Sequence, residues 1–130
     1  MPSPTRGNYL STTYAVRTTD ATATVLKSIP VYTGAAIYII ARFMARVEGA
    51  TGDVLAGRVE GWFYDVSGAA TAAGAQESLT VKSDESDAWT FAIAASGANV
   101  VATVTGAAAT SMRWFAEIEV HEVRVPSSGF

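Results

Sequence analysis

The chain has 130 residues, a net charge of −3, no cysteine and only 16% charged residues. The missing cysteines exclude disulfides, zinc–thiolate sites and thiol nucleophiles, and with Lys27 and Lys82 the only lysines and no basic run, nucleic acid is excluded as a partner. This length predicts one domain with a core that needs no staples, and a surface so poor in charge, covered by Ala, Thr, Ser and Gly, predicts association with other protein.

Residues 1–12 hold Pro2, Pro4 and Gly7 and no apolar period. They predict an extended N-terminal arm ordered by a partner, with Arg6 pairing to a carboxylate and Tyr9 and Leu10 as apolar anchors; the rival is a frayed terminus. Stretches 14–18 and 22–29 are Thr/Val-rich and predict two short strands around a turn at Asp20. Over 36–47, Ile37, Ile39, Ala41, Phe43, Ala45 and Val47 share one face. Tyr38, Ile40, Arg42, Met44 and Arg46 take the other, which is unusually apolar for a face in water. A Gly/Asp-rich turn at 49–53 leads into a strand over 54–66, with Val59, Gly61 and Phe63 inward and Arg58, Glu60, Trp62 and Tyr64 outward.

The run 67–74, SGAATAAG, predicts a small-residue loop. A strand over 76–82 is expected to turn Leu79 and Val81 inward, followed by a polar turn at 83–87. Trp89, Phe91 and Ile93 alternate with small residues, Gly97 and Asn99 turn the chain, and 100–105 reads as a further strand. Residues 112–124, MRWFAEIEVHEVR, alternate almost without a break: Met112, Trp114, Ala116, Ile118 and Val120 against Arg113, Glu117, Glu119 and His121, with Phe115 the apolar exception. A slip of one residue would expose Trp114 and Ile118, so the pattern pins the register. Trp89, Trp114, Phe43, Phe63 and Ile118 are expected in one core. The whole predicts an all-β, antiparallel β-sandwich of about eight strands, jelly-roll-like, divided as arm 1–12, sandwich 13–125 and tail 126–130.

No catalytic, cofactor or metal site is predicted. His121, the one histidine, sits on the polar face of its strand with no GxSxG nucleophile elbow anywhere. Asp84, Glu85 and Asp87 cluster in one turn but lack the glycine and closing glutamate of a calcium loop. Glu117 and Glu119 share one face at a separation of about 7 Å, without a sign of a cleft. The expectation is therefore a non-enzyme. Trp62 and Phe115, exposed aromatics, are predicted partner-binding residues beside Arg6, Tyr9 and Leu10. No stretch approaches a membrane span and the N-terminus lacks a signal peptide's apolar run, so a soluble protein with no membrane partner is expected. Residues 1–50 carry five basic and two acidic side chains and residues 51–130 four and ten, an asymmetry suited to head-to-tail docking between copies.

Arg17-Thr18-Thr19-Asp20-Ala21-Thr22 leading to Ile29-Pro30, the Ala41 to Val47 strand with spaced arginines, Asp87-Ala88-Trp89 followed by Gly97 and Val100 to Gly106, and Arg113-Trp114 with Ala116 and a closing Glu122-Val123 together resemble a small β-sandwich domain of tailed-bacteriophage virion proteins, of head-decoration, head-fibre or tail-fibre type. The resemblance spans 17–123. It implies a structural part of the virion, made in the host cytoplasm and carrying no enzymatic residues. Because the domain stands almost alone, the expected function is capsid decoration (a cement protein on the head surface), binding the major capsid protein and self-associating as a homotrimer. The alternative is a tail- or fibre-associated module that binds carbohydrate or a receptor.

Overall fold

The computed structural model describes residues 6–49, 53–83 and 89–125, with no helix among them. The strands are β1 (Arg6–Thr18), β2 (Thr24–Pro30), β3 (Ala35–Val47), β4 (Val54–Asp65), β5 (Ala70–Ala72), β6 (Glu77–Lys82), β7 (Thr90–Ser96), β8 (Asn99–Thr105) and β9 (Met112–Arg124). They form an antiparallel β-sandwich. A six-stranded sheet runs β1-β9-β3-β4, with β5 and β6 sharing the far edge of β4; a three-stranded sheet runs β2-β8-β7. The first strand pairs with the last and the second with the last but one, the nested, jelly-roll-like closure.

The two-residue period builds the core. On β3, Ile37, Ile39, Ala41, Phe43 and Ala45 are buried; on β9, Met112, Trp114, Ala116 and Ile118; on β4, Leu55, Val59 and Phe63. They meet Ile93, Val100, Ala102 and Val104 of the smaller sheet in one cluster. Trp89, Trp114, Phe43, Phe63 and Ile118 all belong to it, as their positions in the pattern predict. Phe43 stacks on Phe91 across the sandwich at 4.5 Å. The indole N–H of Trp114 donates to Thr18 Oγ1 at 2.9 Å, so the one polar atom of that buried ring is satisfied.

Three local expectations need correction. Residues 6–12 are not an arm: 6–18 pair one for one with 112–124 without a bulge, forming an edge strand. Their apolar period is faint because the smaller sheet leaves a hollow over them, in which the inward-facing Leu10 stays 59% exposed. Residues 1–5 of the expected arm, the tail 126–130 and the acidic trio Asp84, Glu85 and Asp87 lie outside the described residues. The predicted loop at 67–74 contains β5, whose Ala72 pairs with Phe63. Finally, β6 turns the other way: it puts Leu79 opposite Arg58 and Val81 opposite Ala56, both outward positions, so Leu79 and Val81 are exposed. Beside β6 the larger sheet projects past the smaller one, and no inner layer selects the apolar pair.

Candidate functional site

Outward side chains of the larger sheet fall into cross-strand rows. The β3–β4 hairpin sets Tyr38 opposite Trp62, β9 sets His121 opposite Tyr38, and β1 sets Tyr9 opposite His121. Four rings from four strands thus line up across the sheet, a row about 14 Å long at ~4.8 Å per strand. Centroids lie 4.7 Å apart for Tyr9 and His121, 5.9 Å for His121 and Tyr38, and 4.8 Å for Tyr38 and Trp62, the last pair stacked at 23°. Trp62 is 42% and Tyr9 57% exposed, so the row faces water.

The neighbouring row on one side is Val123, Ala36 and Tyr64. Ala36 is too small to fill its place. A shallow hollow of about 630 Å³ opens there, walled by Tyr38, Trp62 and His121 on one flank and Tyr64 and Val123 on the other.

The row on the other side, Ser11, Glu119, Ile40 and Glu60, supplies the polar support. Tyr9 donates its hydroxyl proton to Glu119 Oε1 at 2.9 Å, and Tyr38 donates its own to Glu60. Arg42 in turn donates to Glu119, and reaches Glu117 Oε1 at 3.4 Å; Arg58 Nε stands 3.4 Å from Glu60 Oε2. The Arg42 guanidinium, helped by the Tyr9 hydroxyl, holds the Glu119 carboxyl below its usual range. The hydrogen bond to Glu119 pushes the Tyr9 phenol up, and that to Glu60 does the same for Tyr38. At neutral pH the phenols therefore keep their protons, and Glu119 is a charged acceptor rather than a proton donor. Glu117 and Glu119, weighed above as a catalytic pair, both serve Arg42.

Of the predicted partner-binding residues, the fold brings Tyr9 and Trp62 together. It separates the others. Arg6 stands at the first position of β1, opposite Arg124. Leu10 lies on the inner face with Ile29, Tyr32 and Ile118 around a different hollow. Phe115 shares the outer face with Trp62 but lies six residues along β9 from His121, roughly 20 Å at ~3.3 Å per residue, in an apolar row with Ala15, Met44 and Ala56. Sequence reasoning missed Tyr38 and His121. The hairpin register that pairs Arg46 with Val54 also pairs Tyr38 with Trp62, so the unusually apolar outer face of β3 held the signal for Tyr38. His121 had none, since its neighbours come from strands distant in the chain.

No protein-family model and no curated protein matches the chain. Among solved structures, the chain is similar to the tailspike protein gp49 of Acinetobacter baumannii bacteriophage Fri1, described as a capsular polysaccharide depolymerase, at 8% identity and a TM-score of 0.49 over 96% of this chain and 18% of that one. It is also similar to the Acinetobacter baumannii phage AM24 tailspike protein, at 8% identity and a TM-score of 0.40 over 95% of this chain and 27% of that one. A third is the Acinetobacter phage vB_ApiP_P1 tailspike protein, at 18% identity and a TM-score of 0.34 over 91% of this chain and 22% of that one. The chain thus spans less than a third of each of these proteins. Against the expectation of a non-enzyme, the first of these neighbours is described as a capsular polysaccharide depolymerase.

Proposed function

We propose that this chain is a saccharide-binding β-sandwich module belonging to the tail or fibre apparatus of a tailed phage. The observation that carries the reading is the row of Tyr9, His121, Tyr38 and Trp62 beside an open hollow on the outer face of the larger sheet. Exposed rings arranged side by side offer an apolar flank for the C–H faces of sugars, while phenol and carboxylate oxygens next to them meet hydroxyl groups. The phage setting follows from the sequence resemblance to virion β-sandwiches. Capsid decoration, the first expectation, loses the arm it was to clamp with, since residues 6–12 are engaged along β9.

The test is binding of the full chain to polysaccharide stripped from host cells, followed by affinity electrophoresis. Retardation of the wild type, with Trp62→Ala and Tyr38→Ala each running about tenfold weaker in apparent affinity, supports the reading. Equal migration of all three proteins with and without polysaccharide removes it.

A further inference from the structure

The polar atoms around the aromatic row divide unevenly between donors and acceptors. The Tyr9 proton is committed to Glu119 and the Tyr38 proton to Glu60, which leaves both phenol oxygens with only lone pairs to offer a ligand. The two carboxylates are acceptors as well. Their own cations, Arg42 and Arg58, sit one row further away and point back at them, so those charges are spent within the sheet. Among the described residues that line the hollow there is no lysine or arginine. The only fixed donor in the row is the indole N–H of Trp62, which has no protein partner among the described residues. The ring of His121, between Tyr9 and Tyr38, and the phenol of Tyr64, on the far flank of the hollow, also face the ligand.

We infer that this site takes a donor-rich, uncharged saccharide and discriminates against uronic and other acidic sugars. The inference rests on the saccharide-binding reading above and adds the chemical class of the ligand. A neutral sugar brings hydroxyl donors to each of the four acceptor groups. A carboxylate replacing one hydroxymethyl group exchanges a hydroxyl donor for a second acceptor oxygen and brings a negative charge toward Glu119, where it meets repulsion and no cation among the residues lining the hollow. The Tyr9 and Tyr38 phenol protons stay where they are up to alkaline pH, because each is held by a neighbouring carboxylate, so these two hydroxyls remain acceptors toward a ligand.

The experiment uses matched pairs of hexasaccharides that share backbone and linkage and differ only in oxidation at C6: glucose with glucuronate, mannose with mannuronate, galactose with galacturonate. Binding to the full chain is read by microscale thermophoresis at pH 8 and low ionic strength. At least one neutral hexamer is expected to bind about tenfold more tightly than its uronate, a difference of ~1.4 kcal/mol. Glu119→Gln, which keeps the shape and frees Arg42, is expected to narrow that gap several-fold. Uronates binding as well as or better than their neutral partners would overturn the inference while leaving a saccharide site in place. Failure of every neutral and acidic hexamer to bind would overturn the saccharide reading itself. Should Glu119→Gln prove unfolded by circular dichroism, Glu60→Gln makes the same comparison from the other end of the row.

Discussion

Trp62 and Trp114 are the same residue type on opposite faces of one sheet, and the fold gives them opposite duties. Trp114 is 2% exposed and hydrogen-bonded to Thr18. Truncation to alanine leaves a cavity and orphans that buried hydroxyl, an expected loss of about 3–5 kcal/mol, read as a drop in the denaturant midpoint. Trp62→Ala removes a ring already half in water, and its midpoint is expected to stay close to the wild type. The carboxylates give a second residue-scale test. Glu119 and Glu48 are both held below the usual carboxylate range, Glu119 chiefly by Arg42 and Glu48 chiefly by Arg17 with Arg113 beside it. A carboxyl depressed in the folded state contributes stability that is complete above its unfolded value of about 4.3 and is lost as pH falls through the folded value. The melting temperature should therefore hold from neutral pH to about 5 and decline below about 4. In Arg42→Met, which removes Glu119's main partner, that acid decline should be shallower. An identical acid limb in the two proteins would show that Arg42 does not set the Glu119 protonation.

Strands β3, β4 and β9 were legible from sequence because each runs between the two layers, with one face in the core and the other in water, and their alternation records it. The first half of β1 and the facing of β6 were not. Both lie at margins where the smaller sheet covers the larger incompletely, and partial burial writes only a faint period into the chain. Hence the first half of β1 looked like an arm, and Leu79 and Val81 looked inward. The site was half legible for a related reason. A hairpin register follows from its turn, which ties Tyr38 to Trp62, whereas the joining of β9 to both β1 and β3 comes from pairings over long sequence separations that no local rule supplies. The role of β1 changes what truncation should do. Removing residues 1–12 would strip backbone partners from 118–124 and take Tyr9 out of the row. The shortened chain is expected to melt several degrees lower, with faster amide exchange along 118–124, and to bind saccharide more weakly. An unchanged melting temperature would return residues 6–12 to the status of a dispensable arm.

At the scale of the whole molecule, part of the charge asymmetry closes on itself: β3 lies beside β9, so Arg42 from the basic first third meets Glu117 and Glu119 from the acidic remainder. What stays open is the far end of the outer face. There Arg17, Arg113 and Arg46 stand opposite one another on three adjacent strands, with Glu48 bonding the first two. Directly opposed like charges are unfavourable in a sheet. Next to them Met44, Val54, Leu79, Val81 and Phe115 are each at least 45% exposed on the same face, and a patch of that kind on a small domain marks a contact surface. We propose that the self-association expected from the sequence uses this end, leaving the aromatic row free at the other. Symmetric closure would bury the apolar rows and let each arginine cluster find carboxylates on a neighbouring copy. In sedimentation at micromolar concentration the wild type should run as an assembly, and Phe115→Glu as a 13.6 kDa species with unchanged far-ultraviolet dichroism and unchanged saccharide affinity. Cross-linking that saturates at three copies agrees with the trimer implied by the resemblance, and saturation at two replaces it with an isologous dimer. A wild type that sediments as a single chain at every concentration would remove the contact, and the apolar end of the sheet would need a partner other than itself.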